Sequence, residues 1–231
     1  MGALGSGRGN AMSGIGMTSD RTRARMVERL RADGIRDEVV LSAMNAVPRH
    51  IFVDEALAIR AYDDAPLPIG HGQTISQPWV VARMTELARN GRELDGVLEI
   101  GTGCGYQTAV LAKLAKTVYT VERIAALVNK ARRHLQALRI RNVHLAHGDG
   151  SADLGETLEM DAIVVTAGAT HVPTPLIRYL KPGGRMVIPL ASSEEGERGI
   201  QRLTVIEASA SGIREQTFDA VRFVPLLPGL G

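Results

Sequence analysis

The chain has 231 residues, of which 45% are apolar and 23% are charged, which is enough to bury the core of one large domain. Its 27 basic and 25 acidic residues leave a formal net charge of +2, which provides neither a basic surface for nucleic acid nor a polybasic membrane patch. The one cysteine, Cys104, excludes an intramolecular disulfide and a thiolate-rich metal site, so a reducing cytoplasm is expected. The histidines show no metal-ligand spacing, and no metal site is predicted.

The first 19 residues are rich in glycine and serine and lack the apolar core of a secretory signal. We expect residues 1–19 to be a disordered tail or a non-native appendage. No apolar run approaches the roughly 20 residues that a membrane span requires. From residue 20, helical spacing predicts three short helices. The first ends at Asp33, the second ends at Pro48, and the third covers Glu55 to Arg60. These helices predict an N-terminal lobe, which with the loop after it makes up residues 20–90.

The polar stretch GHGQTISQPW, residues 70–79, lies between an acidic loop and a helix that Pro78 is well placed to begin. Ser76 or Gln77 precedes this helix, and a serine cap contributes on the order of 1 kcal/mol. A cap does not explain the polar residues further upstream. Because the N-terminus of a helix presents free backbone N–H groups, the stretch also suits a carboxylate.

Residues 91–231 alternate strands with helices, which predicts a doubly wound and mostly parallel sheet covered on both faces. The first five strands are predicted at residues 96–100, 117–121, 142–147, 161–166 and 184–190. Helices are predicted at residues 108–115, 125–138 and 175–180. The last two strands, residues 201–209 and 217–226, have no helix between them and predict an antiparallel pair at one edge. The fold class is therefore α/β, a seven-stranded sheet with an N-terminal helical lobe in one domain, residues 20–231.

A glycine-rich turn follows the first sheet strand, with the sequence EIGTGCG from Glu99 to Gly105. Glycines let the backbone turn sharply and approach a ligand closely. The spacing is G-x-G-x-G, whereas dinucleotide-binding proteins have G-x-G-x-x-G. Glu99, as an anion, would repel a pyrophosphate but suits a cationic ligand. The turn therefore favours a sulfonium nucleoside over NAD.

Acidic residues also end the next two strands. Glu122 is expected to accept hydrogen bonds from both hydroxyls of a ribose. Asp149, between Gly148 and Gly150, is placed to meet an adenine amino group. Each acid alone could be a solvated loop residue, but three at successive strand ends beside a glycine turn favour a nucleoside site.

These motifs together resemble the protein-L-isoaspartate O-methyltransferase family over roughly residues 24–227. The segments that carry the resemblance are VPRHIFV, LPIGHGQTISQP, VLEIGTGCGYQTAVLA, TVERI, HGDG, DAIVVTA and AVRFVPL. The glycine turn is common to many methyltransferases that use S-adenosylmethionine, whereas QTISQP and RFVPL are particular to this family. The resemblance implies a Rossmann-like class I methyltransferase fold and a monomeric, cytoplasmic repair enzyme. It implies S-adenosyl-L-methionine as the cofactor and isoaspartyl-containing proteins and peptides as partners.

The resemblance also assigns roles to residues of this chain. It implies that Ser76 is the catalytic residue of an active-site loop that includes Thr74 and Ile75. The residues implied to contact the cofactor are Thr74, Ile75, Ser76, Glu99, Gly101, Gly103, Glu122, Asp149 and Gly150. Cys104 receives no role. His71 lies in the same loop, but a lone histidine on a surface loop is more often solvated than catalytic.

The chemistry requires no general base. An α-carboxylate has a pKa of about 3.3 to 3.9, so the isoaspartyl group is ionised at neutral pH and is already the nucleophile. Neutral groups such as the Ser76 and Thr74 hydroxyls can orient its oxygens and leave them reactive. The loop Leu67 to Gln73 and the strand near Val221 to Pro225 are candidates for gripping the peptide. Trp79 is interpreted as a packing residue that could also touch substrate.

Other functions remain open from the sequence. The nearest is an S-adenosylmethionine-dependent carboxyl methyltransferase that acts on another peptide or a small acid. A protein that binds the cofactor without catalysis is a second alternative, although Glu99, Glu122, Asp149 and Ser76 argue against it. A nicotinamide oxidoreductase is disfavoured by the turn spacing and by Glu99.

Overall fold

The computed structural model describes residues 16–155, 157–192, 199–209 and 212–231. Most of the predicted tail, residues 1–15, lies outside the described residues. Gly16–Thr18 form a short 3-10 helix, and the Ser19 hydroxyl accepts a hydrogen bond from the backbone N–H of Thr22 at 3.4 Å. The structured part of the chain therefore begins before the predicted limit of residue 19.

The N-terminal lobe consists of two α-helices and two 3-10 helices. They are α1 (Asp20–Ala32), α2 (Glu38–Ala46) and 3-10 helices at Arg49–Phe52 and Glu55–Arg60. Both α-helices were predicted, and they bury the apolar faces that the spacing indicated. The third predicted helix is present with the predicted bounds, as the 3-10 helix Glu55–Arg60, which has no buried side chain. Among the described residues, no helix has the length and apolar character needed to cross a bilayer.

A two-stranded hairpin and one helix connect the lobe to the sheet. The hairpin is β1 (Leu67–Gly70) and β2 (Gln73–Ile75), and the helix is α3 (Pro78–Arg89). Helix α3 begins at Pro78 as predicted and ends at Arg89, followed by the C-cap residue Asn90, which takes a left-handed conformation with φ 48°.

The seven-stranded sheet follows and confirms the predicted fold class. Its strands are β3 (Leu94–Ile100), β4 (Ala115–Glu122), β5 (Val143–His147), β6 (Met160–Val165), β7 (Leu180–Ala191), β8 (Gln201–Ser209) and β9 (Gly212–Val221). Its helices are α4 (Tyr106–Leu111), α5 (Ala125–Ala137) and α6 (Thr174–Ile177). The order is β5-β4-β3-β6-β7-β8-β9. Strands β3 to β7 pair in parallel, and β8 and β9 are antiparallel additions at one edge.

Several predicted boundaries are wrong, among them the starts of β7 and β9, and three of the differences have a clear physical reason. Helix α4 ends at Leu111 because the next amides, of Lys113 and Leu114, bond to carbonyls three residues back and tighten the chain before β4. Helix α6 is shorter than predicted because Leu180 already belongs to β7. Strand β9 ends at Val221, since the backbone of Val224 and Leu226 pairs with Gly168 in the loop after β6 and no longer with the backbone of β8.

The chain reverses its direction of travel across the sheet between β3 and β6. Strands β4 and β5 extend the sheet to one side of β3, and β6 and β7 extend it to the other. In open α/β sheets, ligands bind outside the carboxyl ends of the strands at such a switch point. The carboxyl ends of β3, β4 and β6 therefore define the place to look for a site.

Candidate active site

The glycine turn after β3 is shaped by close contact with the end of β6. Gly101, Gly103 and Gly105 all have positive φ angles, of 95°, 56° and 89°, which L side chains rarely adopt. A Cβ atom on Gly101 would also clash with the side-chain oxygen of Thr166. The Thr166 hydroxyl in turn lies 2.6 Å from the Gly101 carbonyl, to which it donates. Only glycine fits the first position of this turn.

Glu122, at the end of β4, holds the other side of the turn. Its carboxylate accepts a hydrogen bond from the backbone N–H of Gly103 at 2.8 Å and another from Ile124 at 2.9 Å. The side chain is 5% exposed and lines a cavity with the glycines of the turn. Each oxygen keeps a lone pair for a further donor, which is the geometry expected for binding a pair of hydroxyls.

That cavity, which we call the glycine-turn cavity, lies over the strand ends. Its walls come from the turn, the hairpin, the end of β4, the loop after β6 and the C-terminal segment. The lining includes Thr74, Gly101, Gly103, Glu122, Gly150, Thr166 and residues 224–227. Gly150 has no room for a side chain, because a Cβ atom there would lie 2.5 Å from a methyl of Ile100.

Asp149 departs from its predicted place, since it does not line this cavity. Its carboxylate accepts hydrogen bonds from the Ser151 backbone and hydroxyl, at 2.9 and 2.6 Å, and from the Gly229 N–H at 2.6 Å. Burial acts to raise the pKa of Asp149, but these hydrogen bonds hold it below its ordinary value. The side chain fixes its own loop to the C-terminal segment, which leaves Gly150 as the cavity-lining residue of that loop.

Glu99 lies beneath the turn, and not among the residues that line the cavity. It is fully buried, and its Oε2 accepts hydrogen bonds from the hydroxyls of Thr108 and Thr120 at 2.5 and 2.6 Å. Its Oε1 is buried without a partner among the described residues. Burial raises the pKa of Glu99 to about 8, so the carboxyl is protonated at neutral pH. This environment weakens the argument that Glu99, as an anion, would repel a pyrophosphate.

The predicted active-site loop is the β1–β2 hairpin and the residues after it. His71 lies exposed at the hairpin tip with φ 55°. It lines neither the glycine-turn cavity nor the two cavities that adjoin it. Thr74 is exposed on the cavity side, whereas Ile75 is 4% exposed and packs into the core. Ile75 thus anchors the strand that presents Thr74 and Ser76.

The predicted serine cap on α3 is wrong. Gln77 is the N-cap residue and makes no capping hydrogen bond with its side chain. The carboxylate of Asp64 accepts from the backbone N–H of Trp79 at 3.0 Å and from the Gln77 amide at 3.4 Å. The half-buried Ser76 hydroxyl makes no hydrogen bond within the described part of the chain.

Two further cavities adjoin the first. One, which we call the loop cavity, is lined by residues that include Thr74, Ser76, Trp79, Thr166 and Arg222. A narrow cleft beside the glycine turn is lined by Ser76, Gly101 and Tyr106 among others. Thr74 and Thr166 line all three. The arrangement brings the glycine-turn cavity and the loop cavity together at two hydroxyl side chains.

Residues 21–230 match the family model for protein-L-isoaspartate(D-aspartate) O-methyltransferase. The chain belongs to this family. A protein-L-isoaspartate O-methyltransferase from Methylobacillus flagellatus is 58% identical over 219 residues, which cover 95% of this chain and 97% of the relative. One from Chromobacterium violaceum is 56% identical over 216 residues, or 94% of this chain and 95% of the relative.

Solved structures described as protein-L-isoaspartate O-methyltransferases share the fold. One from Plasmodium falciparum, in complex with S-adenosyl-L-homocysteine, superposes with a TM-score of 0.74 at 28% identity. The match covers 89% of this chain and 98% of that one. A second has a TM-score of 0.77 at 26% identity, covering 90% of this chain and 67% of the other. The class I methyltransferase fold and the dependence on S-adenosyl-L-methionine follow from these similarities and from the family.

The glycine-turn cavity fits the methyl donor of this methyltransferase family. Gly101 and Gly150 let the backbone pack against Thr166 and Ile100 at the cavity wall, where a Cβ atom would clash. Glu122 offers two acceptor oxygens. Within the residues that the structure describes, no group of three or more His, Cys, Asp or Glu side chains is arranged to hold a metal ion.

Sequence reasoning missed Thr166 and the C-terminal wall. Thr166 follows directly after β6, the strand beside β3 at the switch point, so the strand-end rule used for Glu122 could have found it. The wall formed by residues 224–227 is held by two backbone hydrogen bonds. The Leu226 N–H donates to the Gly168 carbonyl, and the Gly168 N–H donates to the Val224 carbonyl. No local pattern in the sequence indicates that long-range contact.

Proposed function

We propose that this chain transfers the methyl group of S-adenosyl-L-methionine to the free α-carboxylate of L-isoaspartyl residues in damaged proteins and peptides. The ester cyclises to a succinimide without further enzyme action and hydrolyses in part to normal aspartate, which makes the reaction the first step of repair. The observation that carries the proposal is the junction of the glycine-turn and loop cavities at Thr74 and Thr166 in a chain of this family.

The donor would be held by the glycine turn and the strand ends around it. Bound S-adenosyl-L-methionine supplies a methyl group on a positively charged sulfur, which is electrophilic. Glu122 would accept hydrogen bonds from the ribose hydroxyls, while Gly101, Gly103 and Gly150 admit the ligand to the backbone. Glu99 and Asp149 would act indirectly, since Glu99 supports the turn from below and Asp149 fixes the loop that carries Gly150.

The acceptor carboxylate would enter through the loop cavity. It is ionised at neutral pH, so no residue has to remove a proton. The Ser76 and Thr74 hydroxyls line this cavity and would orient the carboxylate as neutral hydrogen-bond donors, which leaves the oxygens nucleophilic. The absence of a capping bond leaves the Ser76 hydroxyl available for this role. Most of the rate enhancement would come from alignment of the two reactants and from exclusion of water.

The cellular setting of the proposal is a monomer in the cytoplasm. Cys104 is buried, and burial raises the pKa of its thiol to about 11, so it stays in the unreactive thiol form. The functional unit would be the single domain of residues 20–231 together with the short 3-10 helix Gly16–Thr18 that precedes it. The interior shared by the lobe and helices α4 and α5 supports treating these parts as one unit.

A matched pair of peptides tests the proposal. A synthetic isoaspartyl peptide should accept radiolabelled methyl from the donor, whereas the aspartyl peptide of the same sequence should not. Equal labelling of both peptides would favour a carboxyl methyltransferase with another target. Calorimetric binding of S-adenosyl-L-homocysteine without turnover of any isoaspartyl peptide would favour a protein that binds the donor but has lost catalysis.

A further inference from the structure

The loop cavity has a single kind of charge in its lining. Among the described residues that line it, Arg222 alone carries an ionisable side chain. The others are apolar, or are uncharged and polar like Ser76 and Gln77. Among the described lining residues, a substrate that enters this cavity would therefore contact one cation, Arg222, and neutral hydrogen-bonding side chains such as those of Ser76 and Gln77.

No residue that the structure describes pairs with the guanidinium of Arg222. It is exposed, and no hydrogen bond or ion pair involves it in the parts of the chain that the structure describes. Arg83 shows the contrast, because it pairs with Glu86 and with Asp219 of β9, both at 2.8 Å. An arginine that is left without a carboxylate inside a substrate cavity is available to a carboxylate of the substrate.

The backbone that carries Arg222 is fixed on both sides. Val221, before it, pairs with Gln201 in the β8–β9 ladder. Phe223, after it, donates its N–H to the Gln201 side chain at 2.9 Å and accepts from it at 3.5 Å. Val224 accepts a hydrogen bond from the Gly168 N–H at 2.8 Å. The backbone that carries Arg222 is therefore held in place, so binding would require little beyond ordering one side chain.

The reacting carboxylate is a poor partner for this cation. A bidentate arginine on the attacking oxygens would stabilise the ground state more than the transition state, because negative charge leaves those oxygens as the ester forms. Neutral groups, Ser76 and Thr74, line the same cavity and suit the reacting group better. A second carboxylate of the substrate, next to the reacting one, carries no such penalty.

We propose that Arg222 is a specificity-determining residue that binds the side-chain carboxylate of an acidic residue adjacent to the isoaspartyl residue in the substrate. This inference rests on the proposed function. It identifies acidic damage sites as the preferred class among the isoaspartyl peptides that the chain methylates. The interaction acts on substrate binding and leaves the chemical step unchanged.

Three isoaspartyl peptides that differ only beside the damaged residue test this assignment. One carries glutamate before it, one carries glutamate after it, and one carries glutamine at both positions. For at least one glutamate peptide we expect a KM about two- to fivefold below that of the glutamine peptide, which is the range of an exposed ion pair, with similar kcat. The difference should shrink when the ionic strength is raised.

Variants assign the effect to Arg222. R222Q should remove the difference between the peptides, and R222K should restore part of it because lysine keeps the charge. R214Q, on the exposed part of β9, removes one surface charge and should leave the difference unchanged. The glutamine peptide should still be methylated by R222Q. If the unaltered chain methylates none of the three peptides, the proposed function itself is contradicted, and not only the role of Arg222.

Three results would overturn the assignment to Arg222. The first is equal KM for all three peptides with the unaltered chain. The second is an unchanged preference in R222Q. The third is a KM that rises by the same factor for all peptides in R222Q, which would mean that Arg222 contacts the reacting carboxylate.

Discussion

The carboxylate of Asp64 accepts a hydrogen bond from the backbone N–H of Trp79 at 3.0 Å. Trp79 is the second residue of α3, so this is the bond that a capping side chain normally makes. Here the cap comes from a loop residue well before the helix. Ser76 therefore does not cap this helix, although its position next to the helix suggests that role. Its hydroxyl lines the loop cavity without a hydrogen bond to any described residue.

Removal of this cap should affect both stability and methyl transfer. We expect D64A to lower the free energy of unfolding by about 1 kcal/mol, the typical cost of a lost cap, and to lower kcat because the segment that carries Ser76 is less well held. D64N should keep most of the free energy of unfolding and most of kcat, since asparagine also caps helices. Urea denaturation and methylation assays measure the two effects, and D63A, at an exposed neighbouring position, is the control. Wild-type values for D64A would contradict the capping role.

Ser76 should matter for the reaction and little for the fold. We expect S76A to lower kcat by about 10- to 100-fold, because one oriented hydrogen-bond donor is lost, and to change the free energy of unfolding by less than about 0.5 kcal/mol. S42A, which alters an exposed serine of α2, should change neither quantity. A folded S76A chain with full activity would remove Ser76 from the catalytic role.

Glu122 and Asp149 should differ sharply in their effect on the methyl donor. We expect E122Q to weaken binding of S-adenosyl-L-homocysteine by about 10- to 100-fold, because hydrogen bonds to a charged acceptor are worth about 1.5 to 3 kcal/mol. D149N should weaken it less, since Asp149 does not line the glycine-turn cavity. Titration calorimetry gives both affinities. A larger loss in D149N than in E122Q would show that Asp149 turns into the cavity when the ligand binds.

Glu99 should make stability depend on pH. Burial raises its pKa from 4.5 to about 8, so between these values the folded chain holds a proton that the unfolded chain has lost. The free energy of unfolding should therefore fall as pH rises from about 4.5 to about 8, by at most about 1.4 kcal/mol per pH unit from this group. E99Q carries no titratable group and should remove this slope.

The comparison requires denaturation curves at several pH values for the unaltered chain, E99Q and the exposed control E215Q. Other groups titrate in the same range, so the informative quantity is the difference between E99Q and the unaltered chain. We expect that difference to grow with pH up to about 8 and then level off. Parallel pH profiles for these two chains would mean that Glu99 is ionised in the folded state.

The sheet and its helices were predictable because their signals are local. Alternation of apolar segments fixed the strand positions, and the glycine turn with its strand-end acids located the site at Gly101 and Glu122. The direction of a side chain was not predictable in the same way. Asp149 ends a strand as Glu122 does, yet it bonds to Gly229, eighty residues away in the sequence, and only the folded chain brings these residues together.

Long-range contacts also explain the error about Ser76. Serine commonly caps helices, but here Asp64, from another loop, accepts the hydrogen bond from the Trp79 N–H that a serine cap would accept. Glu99 was interpreted as an anion from its residue type and its position just before the glycine turn. Its burial, which depends on Thr108 and Thr120 packing over it, changes its protonation and with it the electrostatic argument.

The wall that residues 224–227 add to the glycine-turn cavity has a consequence for biosynthesis. Ile69 contributes to the same cavity, so its lining draws on segments from nearly the whole domain. A nascent chain whose last segment is still inside the ribosome lacks one wall of the methyl-donor site, although its lobe and central strands have already emerged. Enzyme activity should therefore begin only after this segment has left the ribosome and completed the cavity.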